Sequence, residues 1–233
     1  MSGLLGHRGL LLLPSVAVDP DWASVVLLAH MDGSNGSTTF IDSSSYARTL
    51  AASGGADLTT SEKHYGTAAG NFVADNRRVM TGSSADLQLS DGDYTLEASI
   101  YMTAAPTFAH VLGLENSGTL RMSLCRQASG SFGAFVGGAY PSNLLQTGIS
   151  TGTWFKYALT YRKSDGFTKA FYNGVTIGST TLLQPGLTTP ELFFGKCTGG
   201  HAGNGVYLDE VRVTKGVIRY AADYTPTGPF PDS

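Results

Sequence analysis

From Trp22 onward the chain alternates apolar runs of five to nine residues with short stretches of Gly, Asn, Asp and Ser. Runs of that length, rich in β-branched and aromatic residues, predict strands, and no segment keeps a 3.6-residue period beyond two turns. Residues 23–31 (ASVVLLAHM) are nearly all apolar, which predicts a strand buried on both faces. Residues 37–42 predict a second short strand, and residues 45–60 a strand, a Gly-rich turn and a strand. Residues 68–73 and 77–81 flank the turn Ala74-Asp75-Asn76. Residues 93–103 alternate, with Tyr94, Leu96, Ala98 and Ile100 on one side and Thr95, Glu97, Ser99 and Tyr101 on the other. That pattern predicts a half-buried strand. AHVLGLEN, LRMSLCR and FGAFVGG follow at short spacing and predict a meander. Residues 154–162, 168–172 and 175–177 predict three strands joined by Ser-Asp-Gly and Asn-Gly turns, whose positive φ angles Gly and Asn adopt cheaply. Residues 191–196 and 205–213 complete the set. A dozen or more short strands at this spacing, with no fixed-period repeat, predict an all-β, antiparallel two-sheet β-sandwich or jelly roll.

The 233 residues fit one large all-β domain or two small ones. Only 14% are charged, well under the usual quarter, and 30 glycines serve the many turns. Aromatics at 10% argue against disorder. The net charge is −3 with no basic stripe, so nucleic acid is not an expected partner. Cys125 and Cys197 form either one bridge or, as free cysteines usually do, two buried thiols. Residues 1–21 predict an extended N-terminal arm ending at Asp19-Pro20, ahead of a domain at 22–233. The arm's apolar run, Leu10, Leu11, Leu12 and Leu13, stops at Pro14. It is shorter than a secretory h-region and far too short to span a membrane. With Leu4 and Leu5, these side chains predict docking on a partner or sister subunit; a signal peptide is the alternative.

Several quoted stretches, taken in order, resemble laminin-G-like domains of the concanavalin A-like lectin/glucanase superfamily. VVLLAHMDGSNGSTTFIDSS resembles the opening of such domains, and KHYGTAAGNFVADNRRV the Lys-x-x-Gly-x-Ala-x-x-Phe segment after it. GDYTLEASIYMT and GTWFKYALTYRKSDGFTKAFYNGVTIGS resemble the family's Thr-apolar-Glu strand and its Gly-Thr-Trp hairpin. VYLDEVRVTKGVIRYAADYTPTGPFP resembles a closing strand and tail of tailed-bacteriophage virion proteins. The resemblance implies a concanavalin A-like jelly roll over residues 23 to about 230. Two departures, ASIYMT for an aromatic-rich strand and ADNRRV for an Asp-Gly-rich segment, bear on the ligand more than on the fold.

Glycoside hydrolases on this sandwich place two carboxylates at alternate strand positions, which brings acid and nucleophile to one bond. Glu97 has no acidic residue two positions away. Asp209 and Glu210 are adjacent, which in a regular strand points them to opposite faces and leaves Glu210 to pair with Arg212. His7, His30, His64, His110 and His201 are scattered, and there is no nucleophile elbow. An enzyme is therefore not expected. The resemblance implies that the first and last strands lie close, so Asp32 and Asp209 are candidate ligands of a structural Ca²⁺, an ion that takes hard oxygens. The alternative is that Asp32 caps its turn and Asp209 hydrogen-bonds a neighbouring loop. Sugar sites of the family use aromatic platforms and amides, which nominates Tyr140, Asn143, Tyr161 and Tyr172. For Tyr161 and Tyr172 the alternative is core packing. The expectation is a non-enzymatic bacteriophage virion protein, a tail-fibre, appendage or capsid decoration component that forms homo-oligomers and binds host surface glycans. It would be made in the host cytoplasm and reside in the virion. The alternatives are a purely structural cement subunit and a degenerate glycoside hydrolase.

Overall fold

A computed structural model describes residues 18–103, 108–182, 184, 186–198 and 205–233; the docking side chains Leu4, Leu5 and Leu10 to Leu13 lie outside them. In chain order the strands are β1 (Val25–Ala29), β2 (Phe40–Ile41), β3 (Thr49–Ser53), β4 (Asp57–Thr59), β5 (Ala69–Phe72), β6 (Arg78–Met80), β7 (Tyr94–Met102) and β8 (Ala109–Asn116). They continue with β9 (Thr119–Arg126), β10 (Phe132–Val136), β11 (Leu145–Gln146), β12 (Trp154–Arg162), β13 (Phe167–Tyr172), β14 (Val175–Thr181), β15 (Pro190–Gly195) and β16 (Val206–Lys215). One sheet runs β14-β13-β12-β7-β16-β5-β4, with β1 also paired to β16; the other runs β11-β10-β9-β8-β15-β6-β3-β2. Every pairing is antiparallel. The two sheets pack face to face over one apolar core, as in a jelly roll.

The local signals act as chemistry requires. β1 is buried at all five positions, matching its unbroken apolar run. Asn173 and Gly174 take φ of 49° and 80°, the left-handed pair that a tight two-residue hairpin turn needs. β8, β9, β10 and β11 form the meander. The turn at 74–76 behaves differently from an ordinary hairpin. It carries the chain from β5 in one sheet to β6 in the other, so the strands on either side are not paired.

The half-buried reading of β7 does not hold. Its core side is as expected, but Thr95, Glu97 and Ser99 on the other side are also buried, at 0%, 3% and 0% exposure. The cause is distant in sequence. Residues 217–233 cross the outer face of the first sheet, where Thr95 donates to the Val217 carbonyl and Tyr220 to Glu97. Lys156 donates to the Thr227 carbonyl, and the Phe230 amide to Glu210. Phe230 joins Trp22, Val25 and Leu28 in a small apolar cluster beneath this tail. Asp19 belongs to the same layer. It is 4% exposed and binds both Arg212 and Arg219.

Candidate ligand-binding site

Asp209 and Glu210 do not point to opposite faces. Asp209 stands opposite Ser99 and Arg212 opposite Glu97, so Glu210 and Val211 together face only Ala98. Glu210 takes the extra place with φ of 49°. A bulge of this kind puts two successive side chains on one side of the sheet. Val211 returns to the core, while Asp209, Glu210 and Arg212 share the tail-covered face. The expected pair of Glu210 and Arg212 is absent: Glu210 accepts from His30 at 2.8 Å and from the Phe230 amide at 2.7 Å. Arg212 instead bridges Glu97 and Asp19, and its guanidinium lies 3.8 Å from the Phe230 ring centre.

Asp32 and Asp209 hold the two halves of one loop. Asp209 Oδ2 accepts the His64 and Tyr65 amides at 2.8 and 2.9 Å. Asp32 Oδ1 accepts the Thr67 amide and hydroxyl. Hydrogen bonding to a neighbouring loop is thus what Asp209 does, and Asp32 binds that same loop rather than capping its own turn. Burial raises the Asp209 pKa, the two amides lower it, and the balance stands at about 7. Its Oδ1 is buried without a hydrogen-bond partner. The neighbouring His64 ring stacks on Trp154 at 5.2 Å, and burial with the Lys156 charge holds its pKa down to about 4. Among the described residues, no three His, Cys, Asp or Glu side chains are grouped to hold a metal ion.

The four glycan-site candidates do not converge. Tyr161 is 4% exposed, in the core, stacked on Tyr94 at 5.2 Å, so it presents no platform. β12 is a central strand whose alternation turns Phe155, Tyr157, Leu159 and Tyr161 inward. Tyr172 is half-buried, packs on the same core and lies 5.2 Å from Phe155. Asn143 turns to the edge strand β14. Its amide points at the Ser179 carbonyl, and its own carbonyl would lie 1.9 Å from a Cβ built on Gly178.

Tyr140 does sit in a site. It is 38% exposed on the outer face of the second sheet, the side opposite the tail-covered layer. Its ring stands edge-on to Phe108 at 5.7 Å and 90°, and 4.9 Å from Phe135. His110 lies beneath, buried, 5.0 Å from Phe108 and 5.9 Å from Phe135, with Nδ1 2.6 Å from Ser123 Oγ. Cys125 and Cys197 are unbridged and buried close by; burial raises the Cys125 thiol to about 12 and Tyr140 likewise. Register explains the assembly: Phe135 pairs with Ser123 and His110 with Cys125, so alternate residues of β8, β9 and β10 meet on one face. From sequence, Phe135 reads as an ordinary strand residue and Phe108 stands just ahead of the AHVLGLEN run; which face each occupies depends on pairings the sequence does not display.

These features define a lectin-like jelly roll with an aromatic patch on one sheet face. The Laminin_G_3 family profile, described as the concanavalin A-like lectin/glucanases superfamily, matches residues 74–219, more than half of the chain, and the protein belongs to that family. No curated protein sequence matches the chain. Similar solved structures include the binding domain of botulinum neurotoxin serotype D, at 16% identity and TM-score 0.63, covering 84% of this chain and 49% of that one. The binding domain of Paraclostridial Mosquitocidal Protein 1 is similar at 11% identity and TM-score 0.62, covering 85% and 50%. A Trypanosoma rangeli sialidase in complex with sialic acid is similar at 13% identity and TM-score 0.61, covering 86% and 31%. At such identities the likeness is one of fold. The chain spans about half the length of the binding domains it matches.

Proposed function

We propose that this protein is a non-catalytic binding module of a bacteriophage virion, which takes a glycan on the face formed by Phe108, Phe135 and Tyr140. The observation that carries the reading is the exposed Tyr140 ring braced by two aromatic neighbours on one sheet face. Aromatic faces offer apolar contact area at small entropic cost, which suits the C–H faces of sugars. Neighbours in fold support the choice of ligand. One botulinum neurotoxin DC binding domain is in complex with SialylT, and another with rat synaptotagmin II. The virion setting, as a tail fibre, appendage or capsid decoration with sister copies and other virion proteins as partners, rests on the resemblance of residues 206–231 to phage closing segments. A glycan array with wild type and Tyr140→Ala tests the reading. Binding by wild type and its loss in a variant of unchanged Tm is expected. No binding to any glycan, together with retention on isolated virions, would favour a structural cement role instead.

The acidic residues support binding over catalysis. Glu97, Glu115, Asp209 and Glu210 are all buried, three of them beneath the tail and Glu115 held by Arg78 and Thr198. A structural Ca²⁺ near Asp32 and Asp209 belongs to the same reading, with Asp209 Oδ1 as the buried oxygen left for a cation. Any ion that binds only the folded chain raises Tm. Millimolar calcium should therefore raise it, and an unchanged Tm would rule the ion out.

A further inference from the structure

We propose that the ligand of the aromatic patch carries a carboxylate, as in a uronic or sialic acid, and that Arg121 is the residue that takes it. This rests on reading the patch as a glycan site. β9 turns Met122 and Leu124 into the core and Ser123 to the outer face with Phe135, the residue opposite it. Against β8, Arg121 is the extra residue of a bulge, between Leu120 opposite Glu115 and Met122 opposite Leu114, but against β10 its place is regular and keeps it on the outer face with Ser123. The Gly137 amide donates to the Arg121 carbonyl, which extends that register by one step. Arg121 therefore stands diagonal to Phe135, about 7–8 Å away, within reach of a long side chain.

Arg121 carries a charge that no side chain among the described residues answers. Arg48, Arg77, Arg78, Arg162, Arg212 and Arg219 each pair with a carboxylate. Arg121 is half-buried, has no ion pair among the described residues, and its Nε is buried without a hydrogen-bond partner. The nearest acid on β8 is Glu115, opposite Leu120, and it is already committed to Arg78 Nη2, the Thr198 amide and the Thr198 hydroxyl. On the β10 side the turn Gly137-Gly138 offers no side chain, and a Cβ at Gly138 would meet nothing within 4 Å. A guanidinium is a rigid fork of donors matched to a carboxylate, and it stays charged throughout the accessible pH range. A sugar lying across Phe135 and Tyr140 with a carboxylate toward Arg121 satisfies both the rings and the unpaired cation.

The test is calorimetry at low salt with sugars matched except for the acid: glucuronic acid against glucose glycosides, and sialylated against unsialylated lactose. Wild type should bind at least one acidic member about tenfold more tightly than its neutral partner, and added salt should narrow the gap. Arg121→Gln, checked for unchanged Tm, should abolish the preference while neutral binding persists, and Arg121→Lys should recover part of it. Equal binding within both pairs, or a preference that survives Arg121→Gln, would overturn the assignment while leaving the glycan site standing. Absence of binding to every sugar, acidic or neutral, would remove the glycan site itself and this assignment with it.

Discussion

Glu210 carries the left-handed backbone turn that places it beside Asp209, and His30 is the group it was placed to meet. Burial lowers the His30 pKa, but the Glu210 hydrogen bond and charge, with Asp232 beyond, raise it above its ordinary value. A histidine whose folded pKa exceeds its unfolded one stabilises the fold fully below pH 6.5 and loses that contribution as pH rises through the folded value. Asp209 acts in the same direction. With a folded pKa of about 7 against 3.8, it holds a proton that the unfolded chain gives up, so stability falls across that range. His64, held down to about 4, opposes both between pH 4 and 6.5. The cleanest window is therefore above pH 6.5. In urea unfolding, wild type should lose on the order of 1 kcal/mol or more between pH 6.5 and 8.5, as the His30 proton and what remains of the Asp209 proton are given up together. His30→Gln should be less stable at pH 6.5 and fall less steeply above it, the slope that remains being that of Asp209; an unchanged slope in the variant would contradict the role given to His30. None of this was legible in the sequence. Alternation forecasts opposite faces for adjacent residues, and only the bulge, which depends on β7 as partner, reverses it.

The strands themselves were largely legible. β12 was bounded correctly at both ends because Trp154 and Arg162 frame an unbroken apolar-alternating run between a Gly-Thr and a Ser-Asp-Gly signal. β14 runs on to Thr181, past residue 177 where the sequence pattern ends it, and Gly178 does not break it. Its physical role is different. Gly178 lets the Asn143 backbone approach the edge of the first sheet, closing a strand margin that would otherwise be open to other chains. Gly178→Ala should cost about 1–3 kcal/mol by thermal or urea unfolding, as overpacking does. Gly82→Ala, where a Cβ meets nothing within 4 Å, should be close to neutral and serves as the control. If both variants unfolded alike, the close approach would carry no weight. The face assignment of β7 was the element-scale miss: its alternation is real, but one side is dried by the tail rather than by solvent-facing charge.

At the scale of the molecule, the two-sheet architecture followed from strand number, turn chemistry and the family resemblance. The covering layer did not, because its contacts join positions about 200 residues apart, as where Asp19 meets Arg219. Tyr220 and Tyr224 stack at 3.6 Å beside Phe171 and help close that face. The consequence is an asymmetric sandwich. One outer face is sealed by the chain's own tail, and the other carries Phe108, Phe135, Tyr140 and the unpaired Arg121. Of that site only Tyr140 was legible, since Pro141 marks it as a loop residue; the rest needed the register of β8, β9 and β10. The most direct test of this division is amide and aromatic NMR shift mapping during titration with a glycan found on an array. The account predicts that the largest changes fall on Phe108, Phe135, Tyr140 and Arg121, with the tail-covered face silent. Changes centred instead on the tail, on Asp32 and the loop at 64–67, or on β14 would contradict it.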